Sequence, residues 1–456
     1  MTDNTALLAA GRTADQIVPV YVISAWKGAH RWTGPSRQEF LCGCLESLSK
    51  NVEALGGRLL FRQGDAVAEL LQLARETKAE AIFCNRDLDP FGREQEKRLE
   101  VECERAGLGF FSFKDHVLHE FGEVRTRNGE GFRVYTPYFR AWRELPKAAP
   151  EGKTNRSIAV EGLASLARPS LETWDLPPSG VSFVKPGEKA ARKRLEELLE
   201  GKLPHYASGR DFPDRQMTSR LSQDLRFGLL SIREIYAKVL DVRRDASAEE
   251  RTGCDKFIGE LAWREFYADL LGHRPEVLEE EFNPQWRGLP WGQADERFAR
   301  WCRGETGFPI VDAGIREMLS TGFMHNRVRM IVAMFLTKDL RIDWRLGEQF
   351  FMQHLVDGEI ANNNGGWQWS AGTGADAAPY FRIQNPWTQT LRYDLEGDYV
   401  RQWVPELAKA PSGVLGAEPE PGKSVWPGYP APLVNHREER SRALDWFNSH
   451  KFRAGT

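Results

Sequence analysis

The sequence predicts a doubly wound parallel α/β domain, lacking its first strand, followed by an all-helical domain. Three observations carry that prediction. Short apolar runs alternate with amphipathic helical patterns over residues 1–124. A polar stretch bearing Pro and Gly follows over 125–187 and reads as an inter-domain linker. From Lys189 onward the apolar residues recur almost wholly at helical spacing, so 188–456 is expected to form a helical domain.

The elements follow in order. In "TDNTALLAA", Asp3 or Asn4 is placed to cap a helix that begins at once. A doubly wound sheet normally sets a strand before that helix, and its first strand lies in the middle of the sheet. The chain is therefore expected to start late by about 10–15 residues, leaving unpaired backbone beside an apolar slot. "QIVPVYVIS", "GRLLFRQG", "AEAIFCNRD" and "GFFSFKDHVL" read as buried strands. "RQEFLCGCLESLSKNVEAL", "DAVAELLQLARET" and "REQEKRLEVECERAG" read as the helices between them.

Composition narrows the function. The chain has 456 residues, is 41% apolar and 28% charged, and carries no uncharged apolar run of 18 residues. That is the profile of a soluble globular protein with neither a membrane span nor a signal peptide. Six cysteines without a CxxC pair fit free thiols in a reducing cytoplasm, and no metal site is expected. A net charge of −3 argues against general coating of nucleic acid but permits a local basic face. Between Arg316 and Arg345 six basic residues face three acids, which makes such a face credible.

Three helical stretches point toward one site. In "FIGELAWREFYADLL", Glu260, Trp263, Arg264 and Tyr267 share a helix face, with Phe257, Leu261, Phe266 and Leu270 elsewhere around it. In "VDAGIREMLSTGFMHNRVRM", Asp312 is placed to cap a helix that ends at Gly322, and Asn326, Arg329 and Met330 share a face of the next. In "QMTSRLSQDL", Thr218, Ser219 and Ser222 set hydroxyls and amides at a helix start, suited to a phosphate or to self-capping. Taken singly, these read as a solvated ion pair beside an indole, a charged surface stripe and a self-capped helix.

Together with "TGFPIVDAGIREM", "KDLRIDWRLGEQFF" and "DGEIANNNGGWQWSAGTGADAAPYFRIQNP", these motifs resemble, in order and spacing, the photolyase/cryptochrome family, most nearly its class I cyclobutane pyrimidine dimer photolyases. The resemblance covers residues 200–410 closely, and the α/β domain and "YTPYFRAW" more loosely. It implies FAD folded in the helical domain, held by Tyr206, Thr218, Ser219, Arg220, Leu221, Ser222, Phe257, Arg264, Arg329, Asp357, Gly358, Glu359 and Asn363. Glu359 stands where relatives more often have Asp, and Phe257 where several have Trp. Asn363 matches the residue facing the reactive central-ring nitrogen; its amide accepts from a protonated nitrogen and carries no charge to repel a reduced anion. Gly365 and Gly366 fit a backbone that approaches another surface closely.

The same resemblance gives the indoles two jobs. Trp367, Trp344 and Trp291 match an electron-hopping triad from flavin to surface. Trp369 and Trp263 match rings that sandwich a flipped pyrimidine dimer, with Glu260 on the thymine edge and Asn326 and Met330 completing the pocket. Arg210, Arg327, Arg382 and Arg392 are the candidate phosphate contacts. The implied activity is light-driven repair of dimer-containing DNA by a cytoplasmic monomer. A cryptochrome-like photoreceptor, a (6-4) photolyase and an electron-transfer flavoprotein are the alternatives. The first would keep the triad and discard the pocket, and would carry a long C-terminal tail, none of which is expected after Thr456. The second would show paired histidines where His325 is followed by Asn326. For a second, antenna chromophore, "NRDLDPFGRE" is more like relatives that hold a deazaflavin; Phe91-Gly92 departs from the folate pattern.

Overall fold

The computed structural model describes residues 1–153 and 162–454, so the expected linker lies partly outside the described residues. Helix α1 (Thr5–Thr13) is capped by Asn4, whose side chain accepts from Leu7 N at 2.9 Å. Asp3 turns inward instead. It is buried, its carboxylate accepts from Arg233 Nε at 2.9 Å and from the Ser231 hydroxyl, and its carbonyl accepts from Arg233 at 2.6 Å. This joins the start of the chain to the helical half through Ile232–Asp245.

Four parallel strands form where the apolar runs stand: β1 (Val20–Ile23), β2 (Leu60–Gln63), β3 (Ala81–Asn85) and β4 (Gly109–Phe113). They alternate with α2 (Pro35–Glu53), α3 (Ala66–Thr77) and α4 (Pro90–Ala106). The ladders come in two separate pairs, β1 with β2 (Val20 opposite Leu60) and β3 with β4 (Ala81 opposite Gly109). Among the described residues no strand joins them, although α3 packs on β1, β2 and β3 alike. Every residue of β3 is only half-buried. The sequence implied a sheet without its first strand, and the two ladders stand unjoined among the described residues.

The stretch after β4 is not all connector. Helix α5 (Tyr135–Glu144) sinks Tyr138 and Trp142 completely into the core of the helical half. Glu265 holds it there, accepting from Trp142 Nε1 at 2.6 Å, from His119 N at 3.1 Å and from Leu118 N. Glu265 lies on the longest helix, Ala248–His273, which begins with a reciprocal Ser247–Glu250 cap. Phe257, Leu261, Phe266 and Leu270 are all buried on it. They lie around the cylinder because the helix is central, between α5 and Ile360–Ala371.

Asp312 does not occupy the cap position. It sits in the first turn of Pro309–Thr321 and reaches back, accepting from Thr306 N and Oγ1 at 2.7 Å and from Gly307 N at 3.1 Å. Pro309 at the start lacks an N–H to cap, so the carboxylate serves the preceding loop. Gly322 ends that helix at φ +66°, with Val356 2.6 Å from where a Cβ would stand.

Candidate functional site

Helix Ile360–Ala371 organises the site. Asn363 Nδ2 donates to Glu348 O at 3.0 Å, and among the described residues nothing donates to its Oδ1. The amide is thus fixed with its acceptor oxygen unspent. Gly365 makes the close approach expected of it, since a Cβ there would stand 2.1 Å from the Tyr267 ring. Gly366 does not, because a Cβ there would meet nothing within 4 Å.

Two ion pairs flank this helix. Arg329 donates to both oxygens of Asp357 at 2.9 and 3.1 Å. Burial pushes the Asp357 carboxyl up, but Arg329, the Ser222 hydroxyl and Arg220 outweigh it and hold the group below the usual carboxylate range. Arg264 grips Glu359 with two prongs, Nε at 3.1 Å and NH2 at 2.6 Å, and donates its third nitrogen to His116 O at 2.6 Å. The longer arm of Glu359 reaches that fork and also accepts from Asn362 Nδ2 at 2.6 Å.

The "TSRLS" segment is an irregular turn and not a helix start proper. Arg220 has φ +56°, and only the short helix Ser222–Arg226 follows. Its guanidinium lies 3.6 Å over the Phe323 ring, with a buried Nε that has no hydrogen-bond partner among the described residues. Ser222 is exposed, Thr218 and Ser219 half-buried and Leu221 buried. Tyr206 and Phe257 meet edge-on at 5.5 Å. Gly358 sits against Arg37, whose NH2 lies 1.9 Å from where a Cβ would be.

The second group of residues converges on a cavity of about 460 Å³ lined by Arg327, Met330, Trp369, Arg382 and Arg392, together with Gln384, Gln389 and Tyr393. Sequence reasoning missed the last three. Tyr393 deserved notice as the neighbour of Arg392: it lies under both Arg327 (4.8 Å) and Arg392 (5.2 Å). Arg382 and Arg392 are exposed and make no ion pair among the described residues. Asn326 is exposed at the start of Asn326–Met334, outside that lining. Arg210 is turned in, bonded to Glu260. Trp263 stacks on Tyr135, and no ring contact joins it to Trp369 among the described residues.

The basic stripe from Arg316 to Arg345 does not make a free face. Arg316 pairs with Glu406, Arg327 with Asp211, Arg329 with Asp357, Arg341 with Glu439, and Arg345 with Glu281 and Asp343. Lys338 is buried and donates to Ala371 O. These side chains stand on Pro309–Thr321, Asn326–Met334, Trp344–His354 and the segment between the last two, so each arginine turns to its own carboxylate. The basic rim is local to the cavity instead.

Trp367 and Trp344 are fully buried and Trp291 is half-buried. Trp344 and Trp291 share a feature the sequence did not reveal. Both donate Nε1–H to the same oxygen of Glu281, at 3.2 and 3.0 Å.

Comparison with known proteins places this architecture. The family model for DNA photolyase matches residues 1–154, and that for the FAD binding domain of DNA photolyase matches 257–449. The chain is 37% identical to the deoxyribodipyrimidine photo-lyase of Synechococcus, over 97% of this chain and 94% of that protein. The chain belongs to the DNA photolyase family. Its structure is similar to that of a class III photolyase from Agrobacterium tumefaciens (TM-score 0.91, 37% identity, 99% of this chain and 95% of that one). It is also similar to an archaeal photolyase from Sulfolobus tokodaii, solved with two FAD molecules (TM-score 0.85, 29% identity, 98% and 97%).

The residues present fit the FAD of this photolyase family. The unspent Asn363 oxygen, the unpartnered Arg220 nitrogen and the exposed Ser222 supply an acceptor, a cation and a hydroxyl, the groups that a flavin ring and a pyrophosphate require. Among the described residues no helix is long and apolar enough to cross a membrane, and no group of His, Cys, Asp and Glu is set to hold a metal.

Proposed function

We propose that this photolyase repairs DNA in the light, splitting cyclobutane pyrimidine dimers that it draws out of the duplex. The observation that supports this reading is the cavity in which an indole, Trp369, and a thioether, Met330, meet three arginines. A flipped dimer offers that combination its partners: apolar ring faces for stacking and flanking phosphates for the guanidiniums. Bound and reduced, FAD supplies an electron on excitation.

The chain's own residues do the rest. Trp369 and the free face of Trp263 hold the dimer, Glu260 offers its carboxyl to the thymine edge, and Arg327, Arg382 and Arg392 position the backbone. Asn363 keeps a neutral acceptor toward the flavin's central ring, and the Arg329–Asp357 and Arg264–Glu359 pairs fix the walls around it. Trp367, Trp344 and Trp291 carry electrons inward when the flavin must be reduced. His325 is buried, accepts from Arg327 N at 3.2 Å as a helix cap, and is driven down to about 4 chiefly by burial. His325 is thus spent as a helix cap, and Asn326 follows it where a (6-4) photolyase would show a second histidine.

The test is near-ultraviolet illumination of reduced holoenzyme with DNA carrying either a cyclobutane dimer or a (6-4) product. Restoration of the first alone is expected. Failure to restore it, or preference for the second, sinks the reading.

A further inference from the structure

The loop between Pro275–Leu278 and Pro284–Trp286 carries Glu281, which is only 3% exposed. Its Oε1 accepts from Trp291 Nε1 at 3.0 Å and Trp344 Nε1 at 3.2 Å, and lies 3.3 Å from Arg345 NH2. The two indole nitrogens are therefore no farther apart than those two hydrogen bonds laid end to end.

This arrangement is built, with supports on both sides. Gly292, next to Trp291, pairs with the strand-like segment before Trp344: Gly292 N donates to Arg341 O at 2.8 Å, and Asp343 N to Gly292 O at 3.0 Å. Gln368, next to Trp367, holds the Glu281 loop. It accepts from Phe282 N at 2.8 Å and donates to Val277 O at 2.9 Å and Glu280 O at 3.2 Å. Two of the indoles are thus tied directly to one carboxylate, and the neighbour of the third holds the loop that bears it.

The charges around the two outer indoles are unequal. The Arg345 guanidinium lies 4.5 Å over the Trp344 ring, a cation on the face of the very ring that would become positive. Among the described residues no such cation lies over Trp291. Trp291 is half-buried and meets Trp446 edge-on at 4.9 Å. Glu281 favours positive charge on either indole, and Arg345 disfavours it on Trp344.

We propose that Glu281 and Arg345 are a charge-positioning pair that drives the electron hole from Trp344 out to Trp291 and holds it there. The inference rests on reading the three tryptophans as an electron path. One electron passes from Trp367 to photoexcited oxidised flavin, Trp344 refills Trp367, and Trp291 refills Trp344. No bond is made or broken along the way, and a thiol in solution returns an electron to Trp291. Without the pair, the charge dwells on Trp344, closer to the flavin, and recombines.

Flash photolysis of the oxidised holoenzyme tests it, comparing the parent with Glu281→Gln, Arg345→Met and Trp291→Phe. Glu281→Gln keeps an acceptor for both N–H groups but removes the charge. It should lower the yield and lifetime of the Trp291 radical on the order of tenfold, as loss of a charge at hydrogen-bond distance implies. Arg345→Met should leave more of the hole on Trp344. A parental yield and lifetime in Glu281→Gln overturns the proposal. So does a ¹⁵N-tryptophan spectrum of that variant in which the Trp344 and Trp291 indole signals stay in place. Parental photoreduction in Trp291→Phe overturns the electron path itself, and is distinguishable because it fails before Glu281 is judged.

Discussion

The indole of Trp263 lies flat on the ring of Tyr135, with centroids 3.6 Å apart and planes within 7°. One face of Trp263 is thereby occupied from below, and the ring is held rigid for a partner on the other. Trp369→Ala should weaken binding of dimer-containing DNA by about 1–3 kcal/mol, the worth of one stacked face. Trp263→Ala should cost the same in binding and, in addition, lower thermal stability by releasing Tyr135. Filter binding and melting curves measure the two effects. Undiminished affinity in either variant removes that ring from the pocket.

The buried Trp344 gives a separate test of the electron path. Phenylalanine is much harder to oxidise than tryptophan, so Trp344→Phe should abolish light-driven reduction of oxidised FAD. Enzyme reduced chemically beforehand should still repair. Loss of repair after chemical reduction would show that Trp344 acts through packing alone.

How much of this was legible beforehand depends on the range over which each feature is determined. The four strands and the helices α1 to α4 follow from local period, and each forms where its apolar run stands. The sequence also implied a sheet without its first strand, and the strands form two separate pairs among the described residues. The partners of long side chains were not. Arg210 and Arg327 look like solvent-facing cations in the sequence, yet Glu260 and Asp211 meet them from distant segments. Glu281 was invisible for the same reason: "LEEEFNP" is an acidic loop until the fold brings Trp291 and Trp344 to one oxygen. Tyr138 and Trp142 likewise turned part of the expected connector into core.

Asn363 supports a redox prediction. Its Nδ2 is anchored on Glu348 O, so Asn363→Asp exchanges that donor for a charged oxygen with little change of shape. A carboxylate beside the central ring disfavours a reduced anion. The midpoint potential should fall by tens of millivolts, about 59 mV for each tenfold change in a one-electron equilibrium. Spectroelectrochemical titration measures it, and an unchanged potential would take Asn363 out of this role.

Glu348 predicts a pH dependence of stability. It is wholly buried, with Oε1 accepting from Asn364 Nδ2 at 2.9 Å and Oε2 without a partner among the described residues. Burial drives its carboxyl from 4.5 up to about 8, against the smaller opposing pull of Asn364. Between those values the folded state holds a proton that the unfolded state lacks. Stability is therefore fully present below the lower value and falls as pH rises through the upper, by at most ~1.4 kcal/mol per pH unit. Glu348→Gln should gain on the parent as pH is raised from 5 to 8 in urea unfolding. Glu265, raised by burial to about 7, titrates in the same sense, so part of the slope should survive the substitution. Parallel stability curves for parent and variant would mean that Glu348 is ionised in the folded protein.

The divided sheet makes the last prediction. Leu60 N donates to Pro19 O and Gly64 N to Ile23 O, so the odd residues of β1 face β2. By the alternation of a strand, Val20 and Val22 turn their backbone groups the other way. On β3, Gly109 N donates to Glu80 O and Arg86 N to Phe113 O, which leaves Ala81, Phe83 and Asn85 pointing away from β4. Both sets face positions that no strand occupies among the described residues. Unpaired amides open to water without local unfolding, whereas laddered ones must wait for it. Hydrogen exchange should therefore be fast at Val22 and Phe83 and slow at their neighbours Tyr21 and Cys84, each bonded across its ladder. Equal protection at all four would mean that Val22 and Phe83 have backbone partners in solution, and the two-ladder description would then be wrong.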